Sequence, residues 1–215
     1  KYIETEEQKL SINDESFLLA IKAFAGTCKT NVLKEYCLRN KNRKILYIAY
    51  NNITAKKARE TFPENVTSKT IHSLAYSVFG FKLRNKLNRS TSLPFKPETI
   101  RKLFGFKKTQ NAINLSKELK SILENFCFST YKKIEDAVPF KKMEESRETM
   151  ILFSNILWDE MTNENSKFPT TPDVYLKLYQ LSEPRLYYDD KCIRRHIFKS
   201  KDFVMNCKPF SGDGS

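Results

Sequence analysis

The chain has 215 residues, enough for one good core or for a core domain with a smaller unit inserted into it. Its 38 Lys and Arg against 25 Asp and Glu leave a net charge of +13, which favours a polyanionic partner over a purely small-molecule role, although a solubilising surface explains charge alone equally well. Five scattered cysteines without a CxxC pair, two histidines and no apolar run near the roughly 18 residues of a membrane span argue against a zinc site, a disulfide framework or a membrane partner. A soluble, intracellular protein in a reducing compartment is expected, and a first residue of Lys1 rather than Met hints at a fragment.

Residues 5–14 are polar, with Gln8 as the residue of interest, and precede a short apolar run at 17–21. Next comes Ala23-Phe24-Ala25-Gly26-Thr27-Cys28-Lys29-Thr30, after which Val32, Leu33, Tyr36 and Cys37 mark one helical face. This is an imperfect phosphate loop, GxxxxGK followed by Ser or Thr, with Ala23 and Cys28 in place of both glycines. Strand, loop and helix come in the order that lets backbone N–H groups cradle phosphates, the lysine reach the β/γ-phosphates and the hydroxyl hold Mg²⁺. An ordinary capped turn is the alternative.

Residues 44–50 form a continuous apolar run of strand length, as suits a parallel strand buried on both faces. A helical pattern through Ala55, Ala58 and Phe62 follows and closes at Pro63; a short extended piece at 65–69 then runs into the first turns of another helix at 70–76. Strands alternating with helices predict an α/β fold with a parallel sheet.

Composition changes at Gly80. Residues 80–115 hold nine basic residues (Lys82, Arg84, Lys86, Arg89, Lys96, Arg101, Lys102, Lys107, Lys108) against one acid, Glu98, interleaved with Phe81, Phe95, Phe104 and Phe106. Cations that track phosphates and rings that stack on bases make this a nucleic-acid signature; rings in a core beneath a solvated cationic face is the other reading. Leu115, Leu119, Ile122 and Phe126 trace one helix stripe, and Met150, Ser154, Leu157, Trp158 and Met161 another. Thr171 and Pro172 predict the start of a helix that stops near Pro184. The stretch from Tyr187 to Ser215 lacks periodicity and is expected to be weakly structured.

An ATPase also needs an apolar strand ending in acid. Ile156-Leu157-Trp158-Asp159-Glu160 fits only superficially, because its neighbours repeat at helical spacing, and Asp189-Asp190 is followed by Lys191.

Taken together, Glu6-Glu7-Gln8, residues 22–30, Leu46-Tyr47-Ile48-Ala49-Tyr50-Asn51, residues 62–66 with 69–76, Leu157-Trp158-Asp159 and residues 175–182 resemble, in order, the N-terminal part of the UvrD/Rep-type superfamily 1A DNA helicases, nearest their eukaryotic F-box branch. The resemblance implies a RecA-like, ATP-binding subdomain 1A over 1–79 and 169–186, a helical, basic, DNA-binding subdomain 1B over 80–168, and a divergent tail over 187–215. It implies that Gln8 reads the adenine edge of ATP; that Ala25, Gly26, Thr27, Cys28, Lys29 and Thr30 bind its phosphates, with Lys29 and Thr30 catalytic and Thr30 on Mg²⁺; and that Tyr50, Asn51, Thr70 and His72 contact single-stranded DNA. For His72, a capping or core histidine is the other reading. The family tolerates Ala23, but at Cys28 it has glycine.

The resemblance further implies a nuclear 3′–5′ helicase of DNA repair or recombination. Beyond Leu181-Ser182-Glu183-Pro184 the family continues into an apolar strand and Asp-Glu-Ala-Gln-Asp, which this sequence lacks. The expectation is therefore a truncated, frameshifted or degenerate half of a motor, not competent alone, or a non-enzymatic DNA-binding remnant. An unrelated P-loop kinase or GTPase is a third reading.

Overall fold

The computed structural model describes residues 3–14, 21–22, 24, 26–88, 93, 96–105, 109–141, 143–184 and 203–206. The chain is mixed α/β, mostly helical with a small parallel sheet, and divides into two compact units, Lys1–Leu74 with Glu183–Ser215, and Ala75–Ser182.

In the first unit, helix α1 (Glu6–Asn13) starts at Thr5, whose hydroxyl accepts the Gln8 N–H while the Gln8 side chain accepts the Thr5 N–H. This reciprocal box satisfies two donors that a helix start leaves orphaned. Arg39, at the end of α2 (Lys29–Arg39), ties the two helices by donating to Glu4 (2.6 and 2.7 Å) and to Asn13 (3.0 Å). Strand β1 (Ile45–Ala49) is buried along its whole length, as its unbroken apolar run demands. Ile45, Tyr47 and Ala49 pack with Cys37 of α2 and with Ala55 and Ala58 of α3 (Asn52–Thr61). Burial pushes the Cys37 thiol up to about 12, so it is an inert core group.

Strand β2 (Val66–Thr70) runs parallel to β1 with Ala49 opposite Thr70. Ahead of it, the Asn65 side-chain amide lies within bonding distance of the carbonyls of Cys37, Asn40 and Arg43 (3.0 to 3.3 Å). It thereby clips the end of α2 to the start of the sheet. On the other side β1 pairs, again in parallel, with β3 (Phe203–Asn206), giving the order β2-β1-β3. Of the stretch expected to be weakly structured, Phe203–Asn206 is described, and it forms this strand. A strand as buried as β1 needs hydrogen-bonded neighbours on both edges, and Phe203-Val204-Met205 is too short a run for periodicity to reveal. The strand expected at 17–21 lies outside the described residues except for Ile21, which sits in no regular element.

Helix α4 (Ile71–Ala75) closes the first unit's N-terminal stretch. The second unit is helical: it opens with a π-helical turn, Tyr76–Gly80, and a short 3₁₀ turn, Arg84–Lys86, follows. Helices α5 (Pro97–Phe104), α6 (Thr109–Phe128), α7 (Arg147–Thr162) and α8 (Pro172–Leu181) build the rest. The anticipated stripe of Leu115, Leu119, Ile122 and Phe126 on α6 meets Met150, Leu157 and Met161 of α7 and Val174 of α8 in one core. Asp159 and Glu160 lie inside α7, so the acidic pair there is helical and not the end of a strand. Lys86 caps that helix, its ammonium donating to the carbonyls of Glu160 (2.6 Å) and Asn163 (2.7 Å), where the helix dipole favours a cation. Cys127 is a second inert thiol, pushed up to about 12 chiefly by burial.

The helical unit takes in 75–79 and 169–182 as well as the expected 80–168. The cause is the packing of α8 on the π-turn. Gly80 is buried there, and a Cβ on it would stand 2.5 Å from Cδ2 of Tyr76 and 3.1 Å from Cδ1 of Tyr175 on α8, two rings that meet edge to face at 5.8 Å. Gly80→Ala is therefore expected to cost about 1–3 kcal/mol by overpacking, read as a lower urea midpoint at unchanged slope. A midpoint equal to that of the parent chain would show that the rings yield.

Candidate functional site

The loop before α2 owes its shape to two left-handed residues. Gly26 has φ 84 and Cys28 φ 57, ψ 28. A Cβ on Gly26 would meet nothing within 4 Å, so glycine is needed there for its backbone freedom and not for space. Cys28 is the helix N-cap and supplies no side-chain cap. Its carbonyl takes the N–H groups of Asn31 (2.9 Å) and Val32 (3.2 Å). Successive N–H groups in such a turn, at the positive end of a helix dipole, form an anion-binding concavity. Residues 26–31 line a hollow of about 350 Å³.

The loop braces itself. The Thr27 hydroxyl (2.8 Å) and the Lys29 ammonium (2.5 Å) both donate to the Phe24 carbonyl. Gln8 Nε2 reaches the Thr27 carbonyl at 3.4 Å, while its Oε1 is engaged in the α1 capping box. Gln8 thus sits against the loop, held by a Thr-x-x-Gln signature that is legible in the sequence. Ala25 lies outside the described residues. Ala23 does too.

Cys28 is the point of strain. A side chain in the left-handed region costs about 1–2 kcal/mol where glycine costs nothing, and this is the position at which the resemblance calls for glycine. Cys28→Gly is expected to leave the fold equally or slightly more stable, by up to about 1 kcal/mol, and, on the expectation that this loop takes ATP, to tighten ATP in titration calorimetry. Unchanged affinity would show that the loop accommodates the thiol.

Parallel register brings the remaining candidates to one edge. With Ala49 opposite Thr70, the ends of β1 and β2 place Tyr50 and Asn51 beside Thr70 and His72. Helix α2 turns back into β1 through residues 40–44, and Cys37 near its end packs with Ile45 and Tyr47 of β1. Tyr50 is exposed. Asn51 caps α3, its Oδ1 accepting the Thr54 N–H at 2.8 Å. Thr70 is buried; its hydroxyl takes the Ser73 N–H and Ser73 Oγ takes the Thr70 N–H, each at 3.1 Å. That reciprocal pair fixes the turn carrying His72, which is half-buried. Sequence reasoning missed Ser73, although Thr-x-x-Ser spacing at a helix start signals such a cap.

The larger hollow, about 630 Å³ in the helical unit beside Asn85, Asn88, Glu164 and Lys167, includes the cap Lys86. Among the described residues no group of three His, Cys, Asp or Glu is placed to hold a metal, and no helix is long and apolar enough to cross a membrane.

In α/β proteins with parallel strands, ligands bind outside the carboxyl ends of the strands, the end from which Tyr50 and Asn51 leave β1 and Ile71 and His72 leave β2. The chain is similar to proteins named as DNA helicases. The chain is 32% identical over 202 residues to F-box DNA helicase 1 of Gallus gallus, covering 85% of this chain and 20% of that protein. It is 32% identical over 201 residues to F-box DNA helicase protein 1 of Schizosaccharomyces pombe, covering 83% of this chain and 23% of the relative. It spans about a fifth to a quarter of the length of these curated relatives. No protein-family model and no solved structure matches it.

Proposed function

We propose that the chain is the ATP-binding and single-stranded-DNA-binding part of a nuclear, UvrD/Rep-type 3′–5′ DNA helicase acting in repair or recombination. The observation that carries this reading is the left-handed 26–28 loop opening α2 in a unit built on a parallel sheet, together with the helicase-named relatives. The residues suit a nucleotide with its Mg²⁺: the α2 N-terminus has no side-chain cap, Lys29 supplies a cation on the loop, and the Thr30 hydroxyl belongs to the first helical turn. Lys29 would meet the β/γ-phosphates in place of the Phe24 carbonyl, Thr30 would hold Mg²⁺, and Gln8 would present its amide to the adenine edge. Bound Mg–ATP supplies the phosphoryl bond whose hydrolysis drives such motors.

On the DNA side, Tyr50 offers a ring for stacking and Asn51 keeps its Nδ2 as a donor while it caps α3. Thr70 acts through the turn that presents His72. Calorimetry with Mg–ATP, and anisotropy with a labelled oligothymidylate over a salt series, test the two halves of the proposal. Absence of nucleotide binding sinks the first, and binding indifferent to salt sinks the second.

One observation favours the reading of a binding module that does not turn over. Strand β3 pairs beside β1 where an acid-tipped strand would serve the nucleotide, and it ends at Asn206. Asn206 is not an acid able to hold Mg²⁺ through water or to activate the attacking water. DNA-stimulated phosphate release by the purified 215-residue chain would overturn that reading.

A further inference from the structure

From residue 65 to residue 97 the chain contains no acid, while Lys69, Lys82, Arg84, Lys86, Arg89 and Lys96 supply six cations. Of the aromatics in the basic segment, Phe95 and Phe106 lie outside the described residues, and the structure separates the other two. Phe104 is stacked on Phe153 with centroids 4.0 Å apart and packs against the helical core. Phe81 is 56% exposed. Its ring is not loose: Arg84 donates from Nη1 to the Phe81 carbonyl at 3.0 Å and holds its guanidinium 4.1 Å from the ring centroid.

The backbone beneath is fixed as well. Phe81 N–H closes the π-turn on the Tyr76 carbonyl at 2.8 Å, Gly80 is wedged against Tyr76 and Tyr175, and Leu83 is buried just beyond. A half-bare aromatic on a rigid turn, backed by a cation and flanked by the exposed Lys82, is costly unless something covers it. A second exposed arginine–phenylalanine pair makes the contrast. Phe140 lies under Arg147, with the guanidinium 4.2 Å from its centroid, but Glu144, Glu145 and Glu148 follow within a few residues, and a polyanion would be repelled there.

We infer that Phe81, backed by Arg84, is a stacking platform for an unpaired nucleobase, with Lys82 placed to meet a neighbouring phosphate. The inference rests on the single-stranded-DNA reading above and adds a recognition element in the helical unit. Base–aromatic stacking is indifferent to sequence and is strengthened by a cation on the far face of the ring. A preorganised ring loses little entropy when it binds.

The test uses the full chain with a labelled oligothymidylate and with an abasic strand of the same length. Phe81→Leu, which keeps an apolar side chain, is expected to weaken binding to oligothymidylate by about five- to hundredfold, to leave the abasic strand unaffected and to leave the salt slope unchanged. Phe81→Tyr restores the affinity, and Lys82→Gln lowers the salt slope by about 0.7 on both strands. Equal binding by Phe81→Leu and the parent chain, or equal loss on both strands, overturns the platform while the DNA reading stands. No salt-dependent binding by the parent chain overturns both.

Discussion

Lys29→Ala is expected to weaken Mg–ATP binding by at least about a hundredfold in titration calorimetry, while the thermal midpoint without nucleotide stays nearly constant. Lys29 is the cation of the 24–30 loop, and its ammonium donates to the Phe24 carbonyl across the mouth of the turn. That bond is exposed, so its loss costs the fold little. Phosphates make a different demand. Charge-assisted bonds to them are each worth about 1.5–3 kcal/mol, and removing the cation leaves oxygen atoms facing a loop that offers only N–H groups. Lys29→Arg is expected to fail almost as badly, because a planar guanidinium fork does not reproduce the compact point charge of an ammonium. Binding within about threefold of the parent chain for either variant would remove the 24–30 loop from the nucleotide site.

The elements legible in the sequence were those whose cause is local or periodic. The apolar run at 44–50 became β1, buried on both faces; the stripes of α6 and α7 became one core; Thr171 and Pro172 opened α8. What escaped notice depends on non-local partners. Strand β3 exists through its pairing with β1, roughly 155 residues earlier in the chain. The π-turn at Tyr76–Gly80 needs Tyr175 against it. At the candidate site, the left-handed turn was foreshadowed by a glycine-type position filled with Cys28. The capping duties of Asn51, Thr70 and Gln8 were written in Asn-x-x-Thr, Thr-x-x-Ser and Thr-x-x-Gln spacings that motif reading passed over. For these residues a structural bond already occupies part of each side chain, which limits what is left to touch a ligand.

Lys177 is the residue that sequence alone places least well, since a lysine in an amphipathic helix reads as surface. Here it is 1% exposed. Its ammonium donates to the carbonyls of Ser129 (3.0 Å) and Tyr131 (2.6 Å) and to Gln180 Oε1 (3.2 Å), and lies 4.3 Å from the Phe126 ring centroid. It therefore pins α8 to the turn that leaves α6. Lys177→Ala removes a buried stem, leaves the Tyr131 carbonyl without its donor and the Ser129 carbonyl with only the longer bond from Gln180 Nε2 (3.4 Å), and is expected to destabilise the chain by about 2–4 kcal/mol. Lys177→Met keeps the stem and should cost about half as much. Burial lowers the folded-state pKa of Lys177 below 10.5. Between that lowered value and 10.5 the unfolded chain binds more protons than the folded one, so the burial penalty is full below the window and fades as pH rises through it. The stability advantage of the parent chain over Lys177→Met is therefore expected to widen in urea melts as pH climbs from neutral toward 10.5. A gap that stays constant or narrows would mean that the carbonyl cage and the Phe126 ring fully compensate for the lost water around the ammonium.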